Sequence, residues 1–164
     1  MSAETKDMLV LHLAEANNLL LTDITTDFIF QKEKQLKIEE LSSICQDKIL
    51  KGFVSTNGHT YRANRDDQIN MIGQKDMLDS DPSIEYVQWK TEDVGYISHT
   101  KEEWLKEVYF LGLEFKKEQL LRYNYLKTLV ENAVGEEELL NISWDMPNGE
   151  PSLDGVQEWQ MKKN

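Results

Sequence analysis

Residues 52–73 read GFVSTNGHTYRANRDDQINMIG, and the order of residue types in this stretch sets the fold class. Gly52 stands where a helix would end, because glycine takes a positive φ without steric cost. The Asn57-Gly58 pair is the strongest short-range hairpin signal, since both residues tolerate the positive φ of a type I′ turn. Its flanks, 53–56 and 59–62, are short and rich in aromatic and β-branched residues, as strands are. Asn64, with Asp67 three residues on, has the form of a helix N-cap. Ile69, Ile72 and Met77 then recur on one side of the predicted helix. A helix stop, a hairpin and a helix start in such close succession predict an α+β chain.

Upstream, Leu9, Leu13, Ala16 and Leu20 recur at helical spacing and predict an amphipathic helix over 2–21. A short link follows. Thr25, Thr26 and Asp27 are candidate N-caps for a second helix running to about Lys51, with Ile38, Leu41, Cys45 and Ile49 on one side. Downstream, the segment ending in Pro82 stops the helix begun at Asn64, since the residue before a proline is pushed out of the α region. Residues 84–90 alternate, with Ile84, Tyr86 and Gln88 on one face and Val87 and Trp89 on the other. A turn at Glu92-Asp93 leads to a partner strand. Thr100 and Glu103 then form a capping box, each side chain satisfying a free backbone donor of the other residue.

From there a long helix is predicted to about Val134, with Trp104, Val108, Leu111 and Phe115 as its early stripe and Leu126, Leu129 and Ala133 as its later one. Gly112 is either a close-packing point or a weak spot in it. Gly135 ends this helix, and residues 136–140 add one more turn that lands on Trp144. The resulting expectation is one small antiparallel sheet of about four short strands, packed against long helices, with an added N-terminal helix. It divides the chain into residues 1–29, an α+β domain at 30–146, and an irregular tail at 147–164.

With 164 residues, of which 40% are hydrophobic, the chain can fill one core but not two independent ones. A net charge of −12 argues against nucleic-acid and anionic-membrane partners, both of which favour clustered Lys and Arg. Cys45, the one cysteine, cannot form an internal disulfide and reads as a small buried hydrophobe. Neither a signal peptide nor a run of about 20 apolar residues is present, so a soluble, cytoplasmically made protein is expected. His12, His59 and His99 are too scattered for a metal site. The adjacent acids at 66–67 and 136–138 point in different directions and cannot oppose one another across a cleft. No nucleophile elbow or phosphate loop occurs, so neither catalysis nor a cofactor is expected. Trp89, Trp104 and Trp144 read as core anchors. Trp159, in a polar tail, is a candidate for docking onto another subunit. Leu9, Leu13 and Leu20 are candidates for docking through the N-terminal helix.

The string from Gly52-Phe53 through Asn57-Gly58-His59-Thr60-Tyr61 to Asp66-Asp67-Gln68-Ile69-Asn70, Ile72 and Gly73 resembles a small family of tailed-bacteriophage proteins, domain of unknown function 4376. The resemblance continues through Trp89, Thr91 and Asp93, then Thr100, Glu103 and Trp104, and closes on residues 136–144. It covers about 30–145. It departs from the family pattern in the long helix, where members are often alanine-rich and this chain carries Phe, Tyr, Lys and Glu. The resemblance implies a structural role in the virion, in the tail, baseplate or fibre-attachment apparatus. The implied partners are other tail proteins, with the host cytoplasm as the place of assembly. The resemblance transfers no catalytic residue. Further copies of this chain are expected as partners on a physical ground. Two long helices give more apolar surface than one small sheet can cover, and the N-terminal helix or the 100–134 helix is the natural outlet. An assembly chaperone that stays out of the particle, and a small enzyme or host-modulating protein, are the alternatives that the residues leave open.

Overall fold

In the computed structural model, residues 3–16, 20 and 24–147 are described. Helix α1 (Ala3–Ala16) precedes the long helix α2 (Thr26–Lys51). Of the three candidate caps, Thr25 is the one used: its hydroxyl accepts from the Phe28 N–H at 3.1 Å. Gly52 ends α2 at φ 81° and ψ −165°, a region that is essentially closed to other residues. The cause is close approach as well as capping. A Cβ on Gly52 would lie 2.1 Å from the Tyr61 carbonyl oxygen, so the returning strand leaves the helix end no room for a side chain.

Strand β1 (Phe53–Val54) pairs antiparallel with β2 (Thr60–Tyr61). The turn between them differs from the two-residue turn expected on Asn57-Gly58. It closes through Gly58 N–H to Ser55 O and Ser55 N–H to His59 O, both 2.9 Å. This is a three-residue loop with a positive-φ glycine (φ 85°) at its last position. The Asn57 side chain is used to hold the loop: Oδ1 accepts from the His59 N–H and Nδ2 donates to the Tyr61 hydroxyl.

Helix α3 (Arg65–Ser80) starts on the Asn64 cap, whose Oδ1 accepts from Asp67 N–H at 2.9 Å. It buries Met71 and Leu78, two turns apart, and leaves Ile69, Ile72 and Met77 more than half exposed. The side on which Ile69, Ile72 and Met77 recur therefore faces out. Strands β3 (Tyr86–Thr91) and β4 (Gly95–Thr100) pair antiparallel from Tyr86 opposite Thr100 to Thr91 opposite Gly95. Val87, Thr91 and His99 turn inward, as the alternation requires. The four strands form two two-stranded sheets instead of the single sheet expected. One backbone hydrogen bond, Glu92 N–H to Thr60 O at 2.9 Å, reaches between them. β2 then leaves through Arg62 for the Asn64 cap before a ladder can form.

The long helix begins on the complete Thr100–Glu103 capping box, as α4 (Lys101–Glu103). It widens into a π-helical segment (Trp104–Phe110) and continues as α5 (Leu111–Asn132). The π segment brings Trp104, Glu107 and Val108 inward together. Ala133 caps α5, two residues short of Gly135, which instead caps α6 (Glu136–Asn141). Gly112 is a close-packing point, since a Cβ there would stand 3.2 Å from the Phe53 ring.

The fold is α+β, and its buried side chains form two clusters strung along this one helix. Leu41, Cys45, Leu126, Val130 and Trp144 belong to the first. Phe53, Tyr61, Met71, Leu78, Val87, Trp104 and Val108 belong to the second. A helix about 48 Å long, at 1.5 Å per residue, outruns any one small core. Among the α1 residues whose side chains are described, Ala14 is the buried one and Ala16 is exposed, as is Leu20 beyond the helix. The tail predicted to be irregular lies, beyond Pro147, outside the described residues.

Candidate functional site

The densest polar cluster joins the first hairpin to the π segment. The Glu107 side chain is nearly buried, and its Oε2 accepts from Ser55 Oγ at 2.6 Å, Thr56 Oγ1 at 2.6 Å and the Asn57 N–H at 3.0 Å. Ser55 Oγ also lies 2.8 Å from the Glu107 carbonyl; its single proton serves one acceptor at a time. Lys106 Nζ sits 3.0 Å from Oε1. The Ser55 hydroxyl, then that of Thr56, hold the Glu107 carboxyl down to about 2, against the opposing effect of burial, with Lys106 adding to the same side. An anion held by this many donors is a fixed brace between the first hairpin and the helix.

The second hairpin is tied in beside it. His59 Nδ1 lies 2.7 Å from Asp93 Oδ2, and Asp93 Oδ1 accepts from the Thr60 N–H at 3.2 Å. The His59 contact first, and the Thr60 amide after it, lower Asp93 to about 2. The fully buried Tyr61 hydroxyl accepts from Asn57 Nδ2 and lies 2.8 Å from His99 Nε2. Burial pushes the His99 pKa down and the Tyr61 pKa up, so both are neutral near pH 7. Arg62 extends the tie, at 3.1 Å from Glu92 and 3.7 Å from Asp67.

This network has a pH signature. Glu107 and Asp93 both have folded pKa values below their ordinary ones, 4.5 and 3.8. Their stabilisation is complete above those ordinary values and is lost as the pH falls from about 4.5 towards about 2. Urea midpoints should therefore drop steeply between pH 5 and pH 3. Glu107→Gln should cost about 1–3 kcal/mol at pH 7, because its amide cannot accept all three donors. The variant should also show a flatter acid slope than the parent. Equal slopes would remove Glu107 from the account.

Glu107 is not among the residues that the sequence pattern singles out. The available signal was its place on the helix, a carboxylate between Trp104 and Val108 on the inward side. The residues singled out earlier are scattered. Leu9 and Leu13 are half-buried, Leu20 is exposed and Trp159 lies outside the described residues. His12 is exposed on α1, and no group of three or more His, Cys, Asp or Glu side chains suited to a metal ion occurs among the described residues. Cys45 is buried, with its thiol 3.5 Å from the Gln119 carbonyl and its pKa pushed up by burial. Trp104 and Trp144 are buried core residues, whereas Trp89 is half-buried and lines a groove of about 600 Å³ between α3 and the second hairpin.

A first hairpin braced by the buried Glu107 carboxylate against one long helix, with a second hairpin tied to it through His59–Asp93 and Tyr61–His99, defines an α+β domain whose polar cluster lies inside residues 55–107. That region falls within residues 32–143, which match the family model described as Domain of unknown function (DUF4376). The chain belongs to this family. No curated protein and no solved structure matches it.

Proposed function

We propose that the chain is a structural component of a tailed-bacteriophage virion, in the tail, baseplate or fibre-attachment apparatus, and that it acts by docking to other proteins. The phage assignment draws on the family resemblance. The docking mode draws on one surface feature, an apolar stripe on the outer side of the long helix. Phe110, Leu113, Leu120 and Leu121 are 47–58% exposed, and at about 100° per residue they fall within an arc of about 100°. Gly112, Leu126 and Val130 occupy the opposite side, against the cores. A helix that is apolar on both sides has a second face suited to a partner. A second copy of the same helix supplies a self-complementary one.

Light scattering of the full chain should show an oligomer, and Leu113→Glu with Leu121→Glu should reduce it to a monomer with an unchanged melting temperature. A strictly monomeric parent chain would sink the docking mode. Mass spectrometry of purified particles tests the virion assignment; absence from mature particles would turn the reading to an assembly chaperone.

A further inference from the structure

We infer that the groove between α3 and the second hairpin is a binding site for an oligosaccharide. Its volume of about 600 Å³ lies within the range of ligand sites, about 300–1,000 Å³. From Asp67 to Met77 it follows α3 for about 15 Å, longer than one sugar ring. At about 100° per residue, Asp67 and Gln74 fall within about 60° of the buried Met71 and Leu78 and form the floor, with Asn70 next to them. Ile69, Gly73 and Met77 lie further out as an apolar lip. Gln88, Trp89 and Lys90 of β3 and Tyr96 of β4 make the opposite wall.

The polar groups of this groove are available to a ligand. The amides of Asn70, Gln74 and Gln88, the Lys90 ammonium and the Tyr96 hydroxyl make no hydrogen bond to any other described residue. Backbone groups join them. Lys101 N–H bonds to Glu85 O at 2.8 Å, so the alternation of the ladder turns the N–H and C=O of Gln88 and Lys90 away from β4, as it turns Glu92 towards Thr60. Asp67 is short of donors. Its Oδ2 is bonded by no donor among the described residues, and Arg62 Nε stands 3.7 Å away, beyond hydrogen-bond length. The Arg62 side chain is 42% exposed, and its displacement opens that oxygen to a hydroxyl.

The aromatic rings complete the match. Trp89 is half-buried and held edge-on by Trp104 at 5.2 Å, and Tyr96 is 72% exposed. The negative face of an aromatic ring attracts the positively polarised C–H groups on one side of a sugar ring. The sugar hydroxyls need donors and acceptors mixed in one place. Amides that both donate and accept, an ammonium and a carboxylate supply that mixture. Other ligands fit less well. A fully apolar ligand takes a site lined mainly by hydrophobic side chains. A phosphate meets the Asp67 carboxylate, and Arg62 is already paired with Glu92 at 3.1 Å. A peptide added along β3 needs recesses for its alternate side chains, and this floor offers a carboxylate and amides instead. The groove shares no residue with the stripe on the long helix, so its occupancy is independent of any virion role.

The test is an NMR titration of the full chain with trisaccharides of glucose, N-acetylglucosamine and galacturonate, each to about 10 mM. At least one should move the Trp89 indole and the Gln88 and Lys90 amides, with a dissociation constant of about 1 mM or tighter. Tyr96→Ala, and Asn70→Ala combined with Gln74→Ala, should each weaken binding at least about five-fold at an unchanged melting temperature. Tyr86→Ala, at a site 63% exposed on the same hairpin but outside the groove, should leave binding as it is. No response to any of the three sugars overturns the inference, as does binding that survives both groove variants. Shifts of the Gln88 and Lys90 amides that grow with protein concentration in the absence of sugar also overturn it, because the groove then takes a second copy along the β3 edge.

Discussion

Replacing Gly52 by alanine is expected to cost about 3–5 kcal/mol, enough to remove a large part of the stability of a chain this size. Two costs add. The dihedrals, φ 81° and ψ −165°, lie in a region that L residues avoid. The new methyl group would also stand 2.1 Å from the Tyr61 carbonyl oxygen and 2.9 Å from the Arg62 Cα. Those are backbone atoms of a strand end that is pinned on its other side by Asn64 and by the Thr60–Glu92 bond, so they cannot swing aside as a long side chain would. Gly58 and Gly95 supply the internal comparison. Their φ values are 85° and 83°, and a Cβ at either meets nothing within 4 Å. Alanine there should carry only the backbone cost, about 1–2 kcal/mol. Urea denaturation of the three variants separates the effects. A loss at Gly52 no larger than at Gly58 would mean that the first hairpin slides away from α2 at little cost.

What was legible in the sequence is what local chemistry decides. Asn64 with Asp67, Thr100 with Glu103, and Gly52 after a helical run each specify a cap within a few residues, and each cap is present. The α+β class followed from them. What was not legible depends on partners distant in sequence. The spacing in α3 fits Ile69, Ile72 and Met77 as well as it fits Met71 and Leu78, and only the position of the π segment decides which set is buried. Whether two hairpins merge into one sheet depends on where β2 turns away, a matter of Arg62 and the cap after it. Glu107 was hidden because a glutamate on a charged helix reads as solvated, and its partners Ser55, Thr56 and Asn57 sit about fifty residues earlier. The exposed stripe on the long helix was blurred for a related reason. Phe110, Leu113, Leu120 and Leu121 lie opposite the buried face, and apolar residues on two sides of one helix cancel any single periodic signal.

Trp104→Ala should cost about 3–5 kcal/mol, and its consequences should extend beyond the cavity it leaves. Trp104 is fully buried, meets the Trp89 ring edge-on at 5.2 Å and stacks on Tyr109 at 5.8 Å. These contacts fix one end of the π segment. Its Nε1 has no hydrogen-bond partner among the described residues, so Trp104→Phe removes a donor unpaired there along with part of the ring and should cost no more than about half as much as alanine. The π segment turns Trp104, Glu107 and Val108 inward as a unit. Emptying the Trp104 site should therefore loosen the hold of Glu107 on the Ser55–Asn57 turn. Two results follow in urea titrations. The alanine variant should lose less stability between pH 5 and pH 3 than the parent chain does, because the Glu107 contribution is already weakened. Combined with Glu107→Gln, it should fall short of the sum of the single effects by at least about 0.5 kcal/mol. Strict additivity would mean that the core and the polar brace are independent, and that the π segment transmits nothing between them.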